Sequence, residues 1–141
     1  MANPGPASVQ TIHPQNVLTN QAIRLLSVVT GVNVNATGDQ AVLPILNSTN
    51  YSVSNVVFTN ASVSLSSAAA GLFTAPSAGG TGLVANAALS ALTGPTVVSQ
   101  RTVASTAIQS AQNLYLNVGT AQGATATMDV YVYGYDFSTF S

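Results

Sequence analysis

The chain contains no cysteine, no tryptophan, no lysine and no glutamate. Without cysteine, neither a disulfide framework nor a thiolate zinc site can form, and the redox compartment is left open. Charge is scarce too: 4% of the 141 residues are charged, against about 25% in ordinary soluble domains. Arg24, Arg101, Asp39, Asp129 and Asp136 are the whole set, and no charge falls between Gln40 and Gln100. A net charge of −1 offers no basic footprint for nucleic acid or anionic lipid, so neither is expected as a partner. It also gives little electrostatic protection against self-association. No run reaches the ~18 apolar residues of a spanning helix, and Met1–Pro6 lacks the basic and apolar regions of a signal peptide.

The residue types of common active sites are equally sparse. The one histidine, His13, stands before Pro14 in a proline-rich stretch, where a solvated side chain is the expectation. No Gly-X-Ser-X-Gly elbow occurs. Asp129 and Asp136 are separated by an odd number of residues, so on one unbroken strand they face opposite sides and cannot act as an acid–base pair. No His/Cys/carboxylate cluster suggests a metal site, and Gly79–Gly82 lacks the lysine and following helix of a phosphate loop. Four Asn-X-Ser/Thr matches, at Asn35, Asn47, Asn50 and Asn60, are expected by chance in a chain this rich in those residues. The expectation is a protein with no enzymatic activity, cofactor, metal or small-molecule substrate.

What is present is strand pattern and neutral polarity. Residues 1–20 contain Pro4, Pro6 and Pro14 and no sustained period, predicting an extended arm, with Val9, Ile12, His13, Val17 and Leu18 available for docking. Residues 21–141 read as one β domain. Ile23–Val29 is apolar on both parities, as in a strand covered on two sides. Val32-Asn-Val-Asn alternates, Gly38-Asp39 marks a turn, and Pro44 assigns the next run to an edge. Tyr51–Leu65 places Val53, Val57, Ala61, Val63 and Leu65 on one parity, predicting one buried face. Phe58, on the other parity, covers a second surface or marks a bulge. Gly71–Ala75 and Gly82–Ala87 flank Pro-Ser-Ala-Gly-Gly-Thr and predict a hairpin. Ala87–Leu92 suits a helical turn, and Thr96–Val103 another extended run.

The C-terminal stretch LYLNVGTAQGATATMDVYVYGYDF is the most regular. Leu114, Leu116 and Val118 share one face. Ala126, Met128, Val130 and Val132 share another, opposed to Thr125, Thr127, Asp129, Tyr131, Tyr133 and Tyr135. This predicts a half-buried antiparallel hairpin around Gly119–Gly123, with a tyrosine stripe outward that is suited to a subunit or partner contact or, as the alternative, covers its own sheet as residues of high β-propensity do. Arg24 and Arg101 are each expected to pair with an aspartate, within the protomer or across an interface, with contact to a ligand as the alternative. Eight to ten short strands and no long helical period point to an all-β antiparallel sandwich of the jelly-roll type with an extended N-terminal arm.

The segments VVFTNAS, GLFTAPSAGGTGLVA and LYLNVGTAQGATATMDVYVYGYDF, within Tyr51–Phe137, resemble small β-sandwich virion proteins of tailed bacteriophages, including capsid decoration (cement) proteins. The resemblance implies a jelly-roll homotrimer on the outer surface of an icosahedral head, clamping neighbouring copies of the major capsid protein. Related sandwiches also occur as head spikes and as tail or neck components, so a module binding a host receptor or glycan is the competing expectation. Tyr131, Tyr133 and Tyr135, with Arg24, Arg101 and the arm residues, are the candidate interface.

Overall fold

Runs rich in valine, threonine and aromatic residues, broken by Gly, Pro, Asn and Ser, build an all-β protein whose computed structural model describes residues 22–138. The predicted arm, with Val9, Ile12, His13, Val17 and Leu18, lies outside the described residues. The strands are β1 (Arg24–Asn33), β2 (Gly38–Pro44), β3 (Tyr51–Thr59), β4 (Ala69–Ala75), β5 (Gly79–Ala88), β6 (Val98–Arg101), β7 (Asn113–Thr120) and β8 (Thr127–Asp136). They form two antiparallel sheets, β1-β8-β3-β6 and β2-β7-β4-β5. The pairings β1–β8, β2–β7, β3–β6 and β4–β5 are those of one long hairpin rolled into two layers, the jelly-roll arrangement.

The core lies between the sheets. Leu26, Val53, Val56, Phe58, Val130 and Val132 from one meet Leu43, Leu72, Leu114, Leu116 and Val118 from the other, all of them fully buried. Along the β1/β2 side the layers are fastened by the Ser27 hydroxyl donating to Pro44 O (2.6 Å) and by Leu46 N–H donating to Leu26 O (2.8 Å). Along the β5/β6 side the fastenings are Ala104 N–H to Leu83 O (2.8 Å) and Arg101 Nη2 to Ala88 O (3.0 Å).

The β4–β5 hairpin forms as expected, but its loop is shorter than Pro76–Thr81. Gly79 N–H donates to Pro76 O (3.1 Å), and Ser77 and Ala78 hold φ of 58° and 56°. That is a two-residue primed turn, whose twist matches the flanking strands. The Asp39 carboxylate accepts the Ser77 N–H (2.8 Å) and braces the left-handed pair. Pro44 ends β2 on a sheet edge, as its missing donor requires.

Several expectations are corrected. The last two strands do not form a hairpin: β7 pairs with β2 and β4, while β8 pairs with β1 and β3 in the opposite sheet. Their aliphatic faces do both point into the core, but across the sandwich. β1 is an edge strand covered on one side only. A bulge between Leu25 and Ser27 turns both Leu26 and Ser27 inward, and Val28 is left 36% exposed. In β3 a bulge between Val53 and Asn55 switches parity, so Val56 and Phe58 are buried and Val57 faces outward. β3 stops at Thr59, and Val63 beyond it is 44% exposed. Ala87 and Ala88 belong to β5 rather than to a helical turn, and the chain reverses through a turn with Leu92 N–H on Leu89 O (2.9 Å). The run from Thr96 is a strand only over Val98–Arg101.

Candidate functional site: the outer tyrosine face

Alternation along β8 sends Met128, Val130, Val132 and Gly134 into the core and Asp129, Tyr131, Tyr133 and Tyr135 to the outside. Because β8 is an inner strand, its tyrosines stand in the middle of the outer face, with neighbours on both sides. Tyr131 is in register with Val28 on β1 and Val57 on β3, and Tyr133 with Leu25 and Asn55. Directly opposed side chains of this kind lie ~5 Å apart and shield one another. Tyr135 stacks with Phe137, ring centroids 6.3 Å apart. The tyrosines are half-buried, Val28 is 36% and Phe137 43% exposed. The result is an aromatic and aliphatic surface with hydroxyl tips.

The one carboxylate on this face is largely withdrawn from its surface. Asp129 is 8% exposed, accepting Gly31 N–H (2.9 Å) and Asn60 Nδ2 (3.0 Å). It fastens a connection beside the tyrosines rather than repelling a partner.

The expected interface residues that fall among the described ones do not converge on one patch. The three tyrosines do come together. Arg24 lies in register with Gly134, an inward position, and its guanidinium reaches Leu25 O (2.9 Å), Leu46 O (2.7 Å), Asn47 O (3.1 Å) and Asp136 (3.5 Å). The expected Arg–Asp pair is therefore present, inside the protomer. Burial by itself would push the Asp136 carboxyl up. Donors from the Ser138 hydroxyl and N–H, from the Ser48 hydroxyl, and the charge of Arg24 outweigh it and hold the group down at about 2. Arg101 sits at the far edge of the same sheet, in register with core-facing Val56, with its guanidinium 5.4 Å above the Phe58 ring. Among the described residues it meets no carboxylate, so no second Arg–Asp pair forms there within the protomer. Its partners are Ala88 O (3.0 Å) and Ser99 Oγ (3.3 Å).

Leu25, Val28, Val57 and Phe137 are the members of the face that sequence reasoning missed. The first two were hidden by the apparent two-sided burial of β1, and Val57 by the bulge in β3. Phe137 lies one residue past β8, where the alternation rule ends. The opposite sheet carries a weaker counterpart, a row in which Val42 and Phe73 flank Tyr115, with Val42 50% exposed. Among the described residues no three His, Cys, Asp or Glu side chains come together as metal ligands would. Comparison with family models, with curated proteins and with solved structures returns no match.

Proposed function

We propose that the protein is a structural subunit of a virus particle, a decoration protein of a tailed-phage head. On this reading it self-associates as a trimer and binds the major capsid protein at the outer shell surface. The observation that carries the proposal is the tyrosine face on the outside of the β1-β8-β3-β6 sheet, whose single carboxylate, Asp129, is buried. A surface of tyrosine, valine and leucine gains contact area at low side-chain entropy cost, and the hydroxyl tips supply hydrogen bonds at its rim. Screening by salt has little to act on in a chain with 4% charged residues, so such contacts persist across ionic conditions. Symmetric repetition lets modest contacts add through avidity. The sequence resemblance, which takes in the tyrosine strand as well as VVFTNAS and GLFTAPSAGGTGLVA, supports the same reading.

The test is a triple variant, Tyr131→Ser, Tyr133→Ser and Tyr135→Ser, compared with the parent by sedimentation and by co-sedimentation with empty phage heads. The expected outcome is loss of self-association or of head binding, with an unchanged far-UV spectrum. Unaltered association and head binding would remove the face from the assembly. Binding of the parent to host cells or glycans, with no affinity for heads, would replace the decoration reading by the receptor-binding one.

A further inference from the structure

The charges of the described chain pair off incompletely. Asp39 accepts from Ser77 N–H (2.8 Å) and Asn117 Nδ2 (2.8 Å), Asp129 from Gly31 and Asn60, and Asp136 faces Arg24. Every described carboxylate is thus engaged within the protomer. Among the described residues Arg101 meets only a carbonyl, a hydroxyl and a ring face. It lines a cleft of about 300 Å³ at the β5/β6 side of the sandwich, together with Val84 and Ala87 of β5, Gln100 of β6, and Thr102 and Ala104 beyond it.

We propose that this cleft binds a carboxylate, with Arg101 as the recognising group. A guanidinium carries five N–H donors in a rigid fork, and the Ala88 and Ser99 bonds use two of them. Burial pushes Arg101 below the ordinary arginine range, with no neighbouring negative charge to offset it. A carboxylate seated in the fork supplies that charge and takes two parallel hydrogen bonds, the geometry that this pair favours. The small side chains of Ala87 and Ala104 leave room for a side-chain-sized group and present no competing acceptor. A phosphate fits less well, because a dianion calls for a cluster of cations and the cleft offers one. Two sources share this chemistry: an Asp or Glu side chain of a neighbouring protein, and a free small carboxylate. The proposal of a carboxylate site rests on the cleft alone. Its assignment to a protein side chain rests on the shell-binding reading above.

The test has two arms. In the first, the full chain is titrated with sodium acetate and, separately, with acetamide of the same shape, and followed by amide NMR. Acetate is expected to shift the amides of Gln100–Ala104 and Ala85–Ala88 saturably, acetamide is not, and Arg101→Gln, which keeps an N–H for Ala88 O, is expected to abolish the acetate response. Equal responses to both probes, no response, or an acetate response that survives in Arg101→Gln would overturn the proposal. The second arm compares parent, Arg101→Gln and Arg101→Lys on empty heads. A loss of about tenfold or more in Arg101→Gln, partly restored in Arg101→Lys, identifies the source as an acidic side chain of the shell. Head binding unchanged in both variants, with the acetate site intact, assigns the cleft to a free carboxylate. The acetate arm needs no heads, so its failure is separable from failure of the shell-binding reading.

Discussion

Replacing Gly134 by alanine tests the packing of the tyrosine strand. The Tyr-Val alternation of β8 is interrupted only there, at an inward position opposite the β3 bulge between Val53 and Asn55. A methyl group on Gly134 would sit 2.0 Å from the Ser52 carbonyl oxygen and 2.8 Å from Leu26 Cδ1. Ordinary contact begins near 3.4 Å, so something must move by more than an ångström. The nearest atom belongs to the backbone of a strand hydrogen-bonded on both sides, and Ser52 is further tied by its hydroxyl to Thr106 O (2.7 Å). Overpacking of a core typically costs ~1–3 kcal/mol, and a clash with fixed backbone belongs at the top of that range. A loss of about 3 kcal/mol lowers the midpoint of a domain this size by roughly 10–15 °C. Thermal unfolding followed by circular dichroism at one fixed protein concentration reads this directly, since any self-association would make the midpoint concentration-dependent. Gly94→Ala is the comparison: an added Cβ there meets nothing within 4 Å, and the expected change is within ~0.5 kcal/mol. If Gly134→Ala melts within about 2 °C of the parent, the bulge is not rigid and this account of the glycine is wrong.

Two pH limbs follow from the buried polar groups. The Asp136 carboxyl titrates at about 2 when folded against 3.8 ordinarily, so its stabilisation is complete above the higher value and is lost as pH falls toward the lower. The loss is no more than about 2 kcal/mol, and acid titration of Asp136→Asn should lack that limb. Burial pushes the Tyr51 hydroxyl up to about 12, so its contribution is intact below 10 and is lost as pH rises through the folded value. Tyr51→Phe should remove the alkaline limb while losing the bond to Ala111 O, at a cost of about 1 kcal/mol, read by denaturant unfolding near neutral pH.

The faces of the last two strands and the β4–β5 pairing were legible in the sequence, and the neighbours of the other strands were not. Period-two alternation along Leu114–Val118 and Met128–Val132 correctly marks which side chains enter the core. It carries no information on which strand lies alongside, and two consecutive amphipathic strands satisfy it equally as a hairpin or as opposite walls of a sandwich. Bulges are the second blind spot. One extra residue at Leu26 and one near Ser54 exchange inside and outside for the residues that directly follow, which turns Val28 and Val57 outward against expectation and leaves Phe58 buried as the bulge reading allows. The tyrosine stripe survived because β8 carries no bulge of its own. The Arg101 cleft was invisible for a different reason: it exists only where the edges of two sheets meet, and β5 and β6 come together through the roll rather than through the chain.

The same structure explains how a chain so poor in charge uses the few it has. Asp39 braces the left-handed Ser77-Ala78 turn, and Asp129 pins Gly31 where its φ is 66°. Asp136 and Arg24 join the end of β8 to the connection carrying Leu46, Asn47 and Ser48. Each of these charges holds backbone that regular strand pairing cannot hold. With Asp129 and Asp136 only 8% and 5% exposed, the exterior is more neutral than the composition states. A soluble surface normally relies on scattered charge to keep copies apart. Here that restraint is weak on the side where tyrosine, valine and leucine are concentrated, whose one carboxylate, Asp129, is only 8% exposed, so charge on the outer face of β8 offers association little opposition. Arg101 is the exception to this inward use of charge, and it stands at the opposite edge from Arg24, where a single anionic group from outside the chain completes the pairing.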